Sequence, residues 1–336
     1  MPSYIIRRVL LIIPTVFLAL SFLFFLFFTL PGDPVNLIAG GGDRTIDPGV
    51  LQRIEERYGL DDPVPVQFVN YWKRTATWDL GESYVDRRSV NEILGDKSIN
   101  SLRLATWAII IEIVVGISVG LVSAVRRYSL ADRLTTIATA SMSAVPVFVL
   151  GFLLQYAFAV YPNLHDWPEW FRMRTSRLGP DEWRFFFIPA NLEQVRYLIL
   201  PAVTLASVST ALAARMTRGS MLEVLGADYM RTARAKGLRE RQIVARHGLR
   251  NAMLPIVTLI GIDFGTVIGA AVLTETVFSW PGLGSEIARS VIARNIPVAL
   301  GLTLVVVLAY TIINLLVDLS YAWFDPRIRL GQESSK

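Results

Sequence analysis

The chain alternates long apolar stretches with polar segments. Six stretches carry almost no charge, and they cover residues 9–30, 104–125, 134–161, 197–214, 252–274 and 296–317. A helix needs roughly 20 predominantly apolar residues to cross the hydrocarbon core of a bilayer. The pattern therefore predicts an all-α polytopic membrane protein with six transmembrane helices, the third of them kinked at Pro146. The first stretch exceeds the 7 to 15 apolar residues or so of a signal-peptide core, so we expect a retained anchor.

The composition supports a membrane protein and excludes several kinds of chemistry. Hydrophobic residues make up 53% of the chain and charged residues only 18%, which is too apolar for an ordinary soluble surface. The absence of cysteine excludes disulfides, thiol catalysis and zinc–thiolate sites. His165 and His247 both fall in polar segments, so we expect no histidine-based metal site. An intramembrane hydrolase is disfavoured because the sequence has no H-E-x-x-H motif and no serine near a histidine at membrane depth.

The placement of arginine predicts the orientation of the helices, since short cytoplasmic connections carry an excess of Lys and Arg. Arginines cluster before the first stretch, in the second connection, throughout residues 215–250 and after the last stretch. We therefore expect both termini in the cytoplasm of a cell whose inner membrane holds the chain. The expected parts are residues 1–30 (N-terminus and first helix), 31–101 (a small extracytoplasmic segment), 102–324 (a five-helix core that includes the cytoplasmic segment 215–250) and 325–336 (a cytoplasmic tail).

The basic segment 215–250 is predicted to form a helix–glycine–helix elbow. Asp228 is placed to cap a short helix, and Gly237 suits the left-handed position that ends one. Residues 239–241 open a second helix, which has Ile243 on its apolar side and runs into the fifth apolar stretch. From the pattern alone, two interpretations stay open. The elbow is either a docking surface for another protein or a basic loop that sets the topology and contacts anionic lipid.

Two further groups of residues lie within the predicted spans. Gly261, Gly265 and Gly269 recur every four residues, a spacing that permits close helix packing or the lining of a pathway. Glu112 and Asp263 are placed deep in their spans, where an ionised carboxylate costs at least ~2.5 kcal/mol unless it is paired or solvated. Asp318 lies near the cytoplasmic end of the last span. We expect structural pairing of these acids, although a proton relay is an alternative.

The elbow resembles the EAA loop of ABC importer permeases, and most closely that of the dipeptide/oligopeptide (and nickel) permease family. The resemblance rests on the run Asp228-Tyr229-Met230-Arg231-Thr232-Ala233-Arg234-Ala235-Lys236-Gly237 and on its continuation at residues 247–255. It extends to residues 30–34, 59–63, 79–83, 274–284, 314–318 and 325–329. The long first extracytoplasmic segment is similar to that of the B-type subunit. Residues 99–104 and the enlarged loop 162–196 match the family poorly.

This resemblance implies the type I ABC importer permease fold and the import of di- or oligopeptides, with nickel chelates or another small solute as alternatives. It implies as partners a second (C-type) permease subunit, two cytosolic ATPase subunits, an extracytoplasmic substrate-binding protein and membrane lipid, but no nucleic acid. The residues that would couple the chain to an ATPase are Asp228, Tyr229, Arg231, Thr232, Ala233, Arg234, Ala235, Lys236 and Gly237.

No enzyme activity or cofactor is expected in this chain. Its lysines are Lys73, Lys97, Lys236 and Lys336, and none of them lies in a G-x-x-x-x-G-K-[ST] phosphate-binding loop. ATP and Mg²⁺ would therefore bind to the partner ATPases. A different class of function, the ion-gradient-driven secondary transporter, would need no partner ATPase and would make Glu112 or Asp263 essential.

Overall fold

A computed structural model describes residues 2–29, 59–175, 183–184 and 187–324, together with residues 49, 52 and 55. Within these ranges, side chains are described except at residues 2–9, 28–29, 184, 264 and 318–324. The predicted tail 325–336 and most of residues 31–58 lie outside the described part. The described residues divide into two compact units: residues up to 100 together with 282–315, and residues 101–281 with those from 316 onward. We call them the first unit and the central unit.

The elements of the first unit are helical. Helix α1 covers Pro2–Thr29, α2 covers Val64–Ala76, and α3, Val90–Ile111, belongs to this unit as far as Asn100. Two later helices, which we label α12 and α13, cover Leu283–Ile292 and Ile296–Phe324. Leu20, Val90 and Leu302 are fully or almost fully buried in the apolar core of this unit. The polar Asn295 is also buried. Its side chain is satisfied there, because it accepts a hydrogen bond from the Tyr84 N–H (2.9 Å) and donates one to the Ser83 hydroxyl (2.8 Å).

The central unit begins with the rest of α3. A π-helical turn, Glu112–Gly116, joins α3 to α4, Ile117–Val125. Helix α5 covers Leu130–Ala144 and α6 covers Val147–Gln155, and a second π-helical turn, Tyr156–Val160, leads to the short α7, Tyr161–Leu164. A two-stranded antiparallel hairpin follows, with β1 at Trp183–Arg184 and β2 at Ile188–Pro189. It lies in the enlarged loop 162–196, where no strand was predicted.

The remaining helices of the central unit include its longest. Helix α8 spans Leu192–Leu225, and the short α9 covers Asp228–Ala235. Helix α10, Glu240–Gln242, continues through a π-helical segment, Ile243–Leu249, into α11, Arg250–Val277. Helix α8 is the centre of the packing, because small buried residues along it, such as Ala206, Ala211 and Ala213, allow its neighbours to approach closely.

The apolar helices confirm the predicted membrane fold. Within the described residues, five helices are long and apolar enough to cross a membrane: Leu10–Phe27, Val90–Val125, Val147–Leu164, Leu192–Leu225 and Ile296–Val317. A sixth results if Glu240–Asp263 and Gly265–Val277, which are bent by 48°, form one span. The chain is thus a multi-pass helical membrane protein of five or six spans.

The third predicted span was wrong in its extent. Residues 134–161 are not one kinked helix, because α5 ends at Ala144 and α6 begins after Pro146. Val145 and Pro146 have extended backbone conformations (ψ of 129° and 136°), and Pro146 has no N–H with which to continue α5. The apolar span is instead Val147–Leu164, whereas α5 carries the more polar residues.

Candidate coupling segment

The elbow predicted from the sequence is present, and α9 is its first helix. The C-terminal end has the expected geometry: Gly237 has a φ of +77°, and its N–H donates to the Arg234 carbonyl (2.9 Å). The predicted cap at the other end was wrong. The N-cap residue is Ala227, in an extended conformation, and Asp228 is the first helical residue. Its carboxylate still lies at the positive end of the helix dipole, and Arg234 lies at the negative end.

One side of α9 is anchored to the rest of the central unit. Met230 is completely buried, and its terminal methyl group packs over Gly248 beside that of Met221. A Cβ atom at Gly248 would lie 3.2 Å from the Met221 Cε and 3.5 Å from the Met230 Cε, so a larger residue there would require these two methionine side chains to shift. The Asn251 amide donates to the Tyr229 hydroxyl (3.1 Å), which connects α9 to α11.

An ion pair closes the elbow between α9 and α10. Arg234 donates two hydrogen bonds to the Glu240 carboxylate, with distances of 3.2 and 2.8 Å. These bonds hold the pKa of Glu240 below its ordinary value. Glu240 stays charged near neutral pH, and the pair connects α9 to α10 across the turn at Gly237.

The opposite side of α9 is exposed. Eight of the predicted coupling residues are exposed, namely Asp228, Tyr229, Arg231, Thr232, Arg234, Ala235, Lys236 and Gly237, whereas Ala233 is half-buried. The ion pair between Asp228 and Arg231 is long (3.6 Å) and solvent-exposed, so it contributes little to stability. The structure thus presents a short, basic and rigidly supported helix to the outside of the chain.

The three glycines predicted to pack together differ in their surroundings. Gly265 is buried and Gly261 is half-buried, whereas Gly269 is exposed, and a Cβ atom built on it would meet no atom within 4 Å. Very close contacts between helices of the central unit occur at two glycines that were not predicted from the sequence, Gly116 and Gly120. Cβ atoms there would lie 2.8 Å from the Ala213 Cβ and 2.7 Å from the Thr217 Cβ, respectively. The small-residue pattern Gly116–x₃–Gly120 was the available signal.

The intramembrane acids have few partners. Glu112 is almost completely buried as the first residue of the π-helical turn, and its Oε1 has no hydrogen-bond partner among the described residues. Asp263 is half-buried and accepts a hydrogen bond from the Thr266 hydroxyl, while its Oδ2 is unpartnered within the same described set. Asp318 belongs to α13, but its side chain lies outside the described residues. In the described part of the chain, no group of three or more acidic or histidine side chains could hold a metal ion.

An ion pair near the elbow between the buried Asp132 and the half-buried Arg218 was also missed. Asp132 of α5 accepts hydrogen bonds from the Arg218 Nε (2.7 Å) and Nη2 (3.0 Å) on α8. It also accepts from the Ser123 hydroxyl (2.5 Å) and the Tyr128 N–H (2.9 Å). The Arg218 guanidinium, then Ser123 and Tyr128, hold the pKa of Asp132 well below its usual range, so the pair stays charged at physiological pH. Both residues were visible only as charges near helix ends.

A helical membrane core that presents a short basic helix on a supported elbow defines the chain as a permease-type membrane subunit. Its sequence matches the family described as "binding-protein-dependent transport system inner membrane component" over residues 116–330, and the corresponding N-terminal family over residues 1–105. The chain belongs to this family, whose fold is the type I ABC importer permease fold. The predicted family, the dipeptide/oligopeptide-type ABC importer permeases, is thereby confirmed.

Named relatives cover almost the whole chain. Over 329 residues, it is 38% identical to the glutathione transport system permease protein GsiC of Escherichia coli O6:H1 (strain CFT073) and 37% identical to GsiC of Pectobacterium atrosepticum. It is also 37% identical to GsiC of Salmonella typhimurium (strain LT2). In each comparison the match covers 98% of this chain and 99% of the relative.

Proposed function

We propose that this chain is the B-type permease subunit of an ABC importer that carries di- or oligopeptides across the cytoplasmic membrane. The observation that carries the proposal is the geometry of α9. Its inner side is fixed by Met230, its end is turned by Gly237, and its outer side is exposed. Such a helix is suited to sit in a groove of a partner ATPase and to transmit its movement to the spans.

The peptide cargo is supported by the named relatives. Glutathione is a tripeptide, and the GsiC proteins that align over nearly the whole chain are named for its transport. A small peptide with a free carboxylate and amine is therefore the substrate class that we assign to the complex. We place the choice between peptides in a binding protein outside this chain.

The proposed complex contains a second, C-type permease subunit, two cytosolic ATPase subunits and an extracytoplasmic substrate-binding protein. The chain itself has no phosphate-binding loop, so ATP and Mg²⁺ belong to the ATPase subunits in this proposal. The exposed Gly269 leaves room for close approach by a helix of the second permease.

The proposed orientation places both termini, the α4–α5 connection and the elbow in the cytoplasm. Single cysteines can test it because the chain contains none. Among exposed positions, Thr77→Cys and Glu169→Cys should react with a membrane-impermeant maleimide in intact cells. Arg127→Cys and Lys236→Cys should react only after the membrane is permeabilised. Labelling of Lys236→Cys in intact cells would reverse the orientation and remove α9 from the ATPase side.

Reconstitution tests the proposed activity. The chain should be co-expressed with its candidate partner subunits and placed in vesicles, and uptake of labelled glutathione and of a dipeptide should be measured with the binding protein present. We expect uptake that requires ATP and is insensitive to proton ionophores, while the purified chain alone hydrolyses no ATP. Uptake by the chain alone, driven by a proton gradient and lost in Glu112→Gln, would instead favour a secondary transporter.

A further inference from the structure

We propose that Asp132 and Arg218 are positioning residues that carry movement of the coupling segment to helices α4 and α5. This inference rests on the proposed function, because it assumes that α9 receives the movement of an ATPase. It goes beyond that function by assigning the transmission to one ion-pair contact inside the central unit.

The contact joins four parts of the chain at one carboxylate. Asp132 belongs to α5, the Ser123 hydroxyl that donates to it belongs to α4, and the Tyr128 N–H comes from the connection between these helices. Arg218 binds the same carboxylate through two parallel hydrogen bonds from α8. A bidentate arginine–carboxylate pair fixes both distance and orientation, so the ends of α4 and α5 are held on α8 as one block.

A second arginine strengthens the attachment of α5. Arg215, almost one turn before Arg218 on α8, donates to the Thr139 carbonyl and to the Ser143 hydroxyl, both at 2.9 Å. The two arginines therefore bind α5 at its beginning, its middle and its end. Helix α5 buries little else of its own, since Asp132 and Thr139 are its buried residues.

The same helix leads directly to the coupling segment. From Arg218, α8 continues for seven residues to Leu225, about 10 Å at the rise of an α-helix, and α9 begins at Asp228. Met221, on this last part of α8, packs with Met230 of α9 over Gly248. A displacement of α9 thus reaches Arg218 through this contact and the last turns of α8.

The break after α5 gives the block freedom to move. Val145 and Pro146 form an extended joint, and the backbone hydrogen bonds of a helix cannot pass through Pro146. Helix α6, beyond the joint, contacts a different part of α8, where Gly151 lies against Thr204. Without the Asp132–Arg218 contact, α5 would be tied to α8 by the hydrogen bonds of Arg215 and would follow its movement incompletely.

The decisive measurement is the number of ATP molecules hydrolysed for each substrate imported by the complete reconstituted complex. For Arg218→Gln we expect uptake to fall about tenfold, the effect of losing a hydrogen-bonded charge contact, with basal ATPase activity within about twofold of wild type. The ratio of ATP to substrate should rise accordingly. Arg218→Lys should be intermediate, because an ammonium group cannot reproduce the bidentate geometry.

A double-mutant cycle separates this role from general stability. Asp132→Asn and Arg218→Gln remove the same contact, so their combination should uncouple the complex no more than either single change. The control is Arg133→Gln, an exposed neighbour of Asp132, which should keep the wild-type ratio. If Arg218→Gln prevents assembly, Arg218→Lys retains the charge and supplies the measurement.

A wild-type ratio in assembled Arg218→Gln or Arg218→Lys complexes, or simple additivity in the cycle, would overturn the inference. The proposed function would survive that result if changes in α9 still released or silenced the ATPase. Failure of the α9 variants to affect the ATPase would instead remove the proposed function itself.

Discussion

Replacing Gly237 by valine is expected to abolish ATP-driven uptake without preventing insertion of the chain. Gly237 has a φ of +77°, and a Cβ atom built there would meet no atom within 4 Å. The cost of the substitution is therefore conformational rather than steric, about 1–2 kcal/mol or more for a β-branched residue in this region. The turn can relieve this strain only by reorienting α9 relative to α10, which would misplace the proposed ATPase contact. Uptake and substrate-stimulated ATPase activity of the reconstituted complex are the measurements.

The matched control is Gly237→Asn, because asparagine tolerates the left-handed region and should retain most of the uptake. Ala235→Glu tests the outer surface separately, since Ala235 is exposed on the side opposite Met230. We expect it to weaken attachment of the ATPase subunits while leaving α9 folded. Wild-type uptake and ATPase stimulation in both Gly237→Val and Ala235→Glu would make α9 an ordinary loop and contradict the proposed coupling.

The sequence predicted those features that depend on local chemistry. The apolar stretches predicted the spans because a membrane helix is specified by the hydrophobicity of its own residues. Gly237 was identifiable because a left-handed helix end strongly favours glycine. Asp228 was misplaced by one position, because Ala227 takes the extended N-cap conformation without any side-chain hydrogen bond. Side-chain preferences at caps are tendencies that tertiary anchoring, here by Met230, can override.

The features missed from the sequence depend on distant neighbours. The ion pair between Asp132 and Arg218 joins residues 86 positions apart, and neither has a local pattern that points to the other. The break at Pro146 was predicted as a kink, since proline alone does not determine whether a helix resumes in line or in a new direction. Gly269 was grouped with two glycines of the same spacing, although the described part of the chain leaves it open.

Two glycines determine how closely α8 can approach α4: Gly116, at the end of the π-helical turn, and Gly120, within α4. Gly120 lies against the backbone of Ala214 and against the Thr217 Cβ, and Gly116 lies against Ala213. A Cβ atom built on Gly116 would lie 2.8 Å from its nearest neighbour on α8, and one built on Gly120 would lie closer still to the Ala214 carbonyl oxygen. Real Cβ atoms do not come this close to other atoms, so the helices must separate if either glycine is replaced. Because Ser123 and Arg218 follow on the same two helices, this separation would also disturb the Asp132 contact.

Gly120→Val is therefore expected to be among the most destabilising single changes in the central unit. The inserted side chain would overlap the Ala214 carbonyl, a backbone atom that cannot move away alone, and overpacking of this kind costs about 1–3 kcal/mol or more. Gly219→Val is the control, since Gly219 is exposed on α8 and its Cβ would meet no atom within 4 Å. Valine has a slightly higher helix propensity than glycine, so this variant should unfold at or above the wild-type temperature. The measurement is the unfolding temperature of each detergent-purified variant, monitored by circular dichroism. Equal unfolding temperatures for Gly120→Val and Gly219→Val would show that α4 and α8 are not in this close contact.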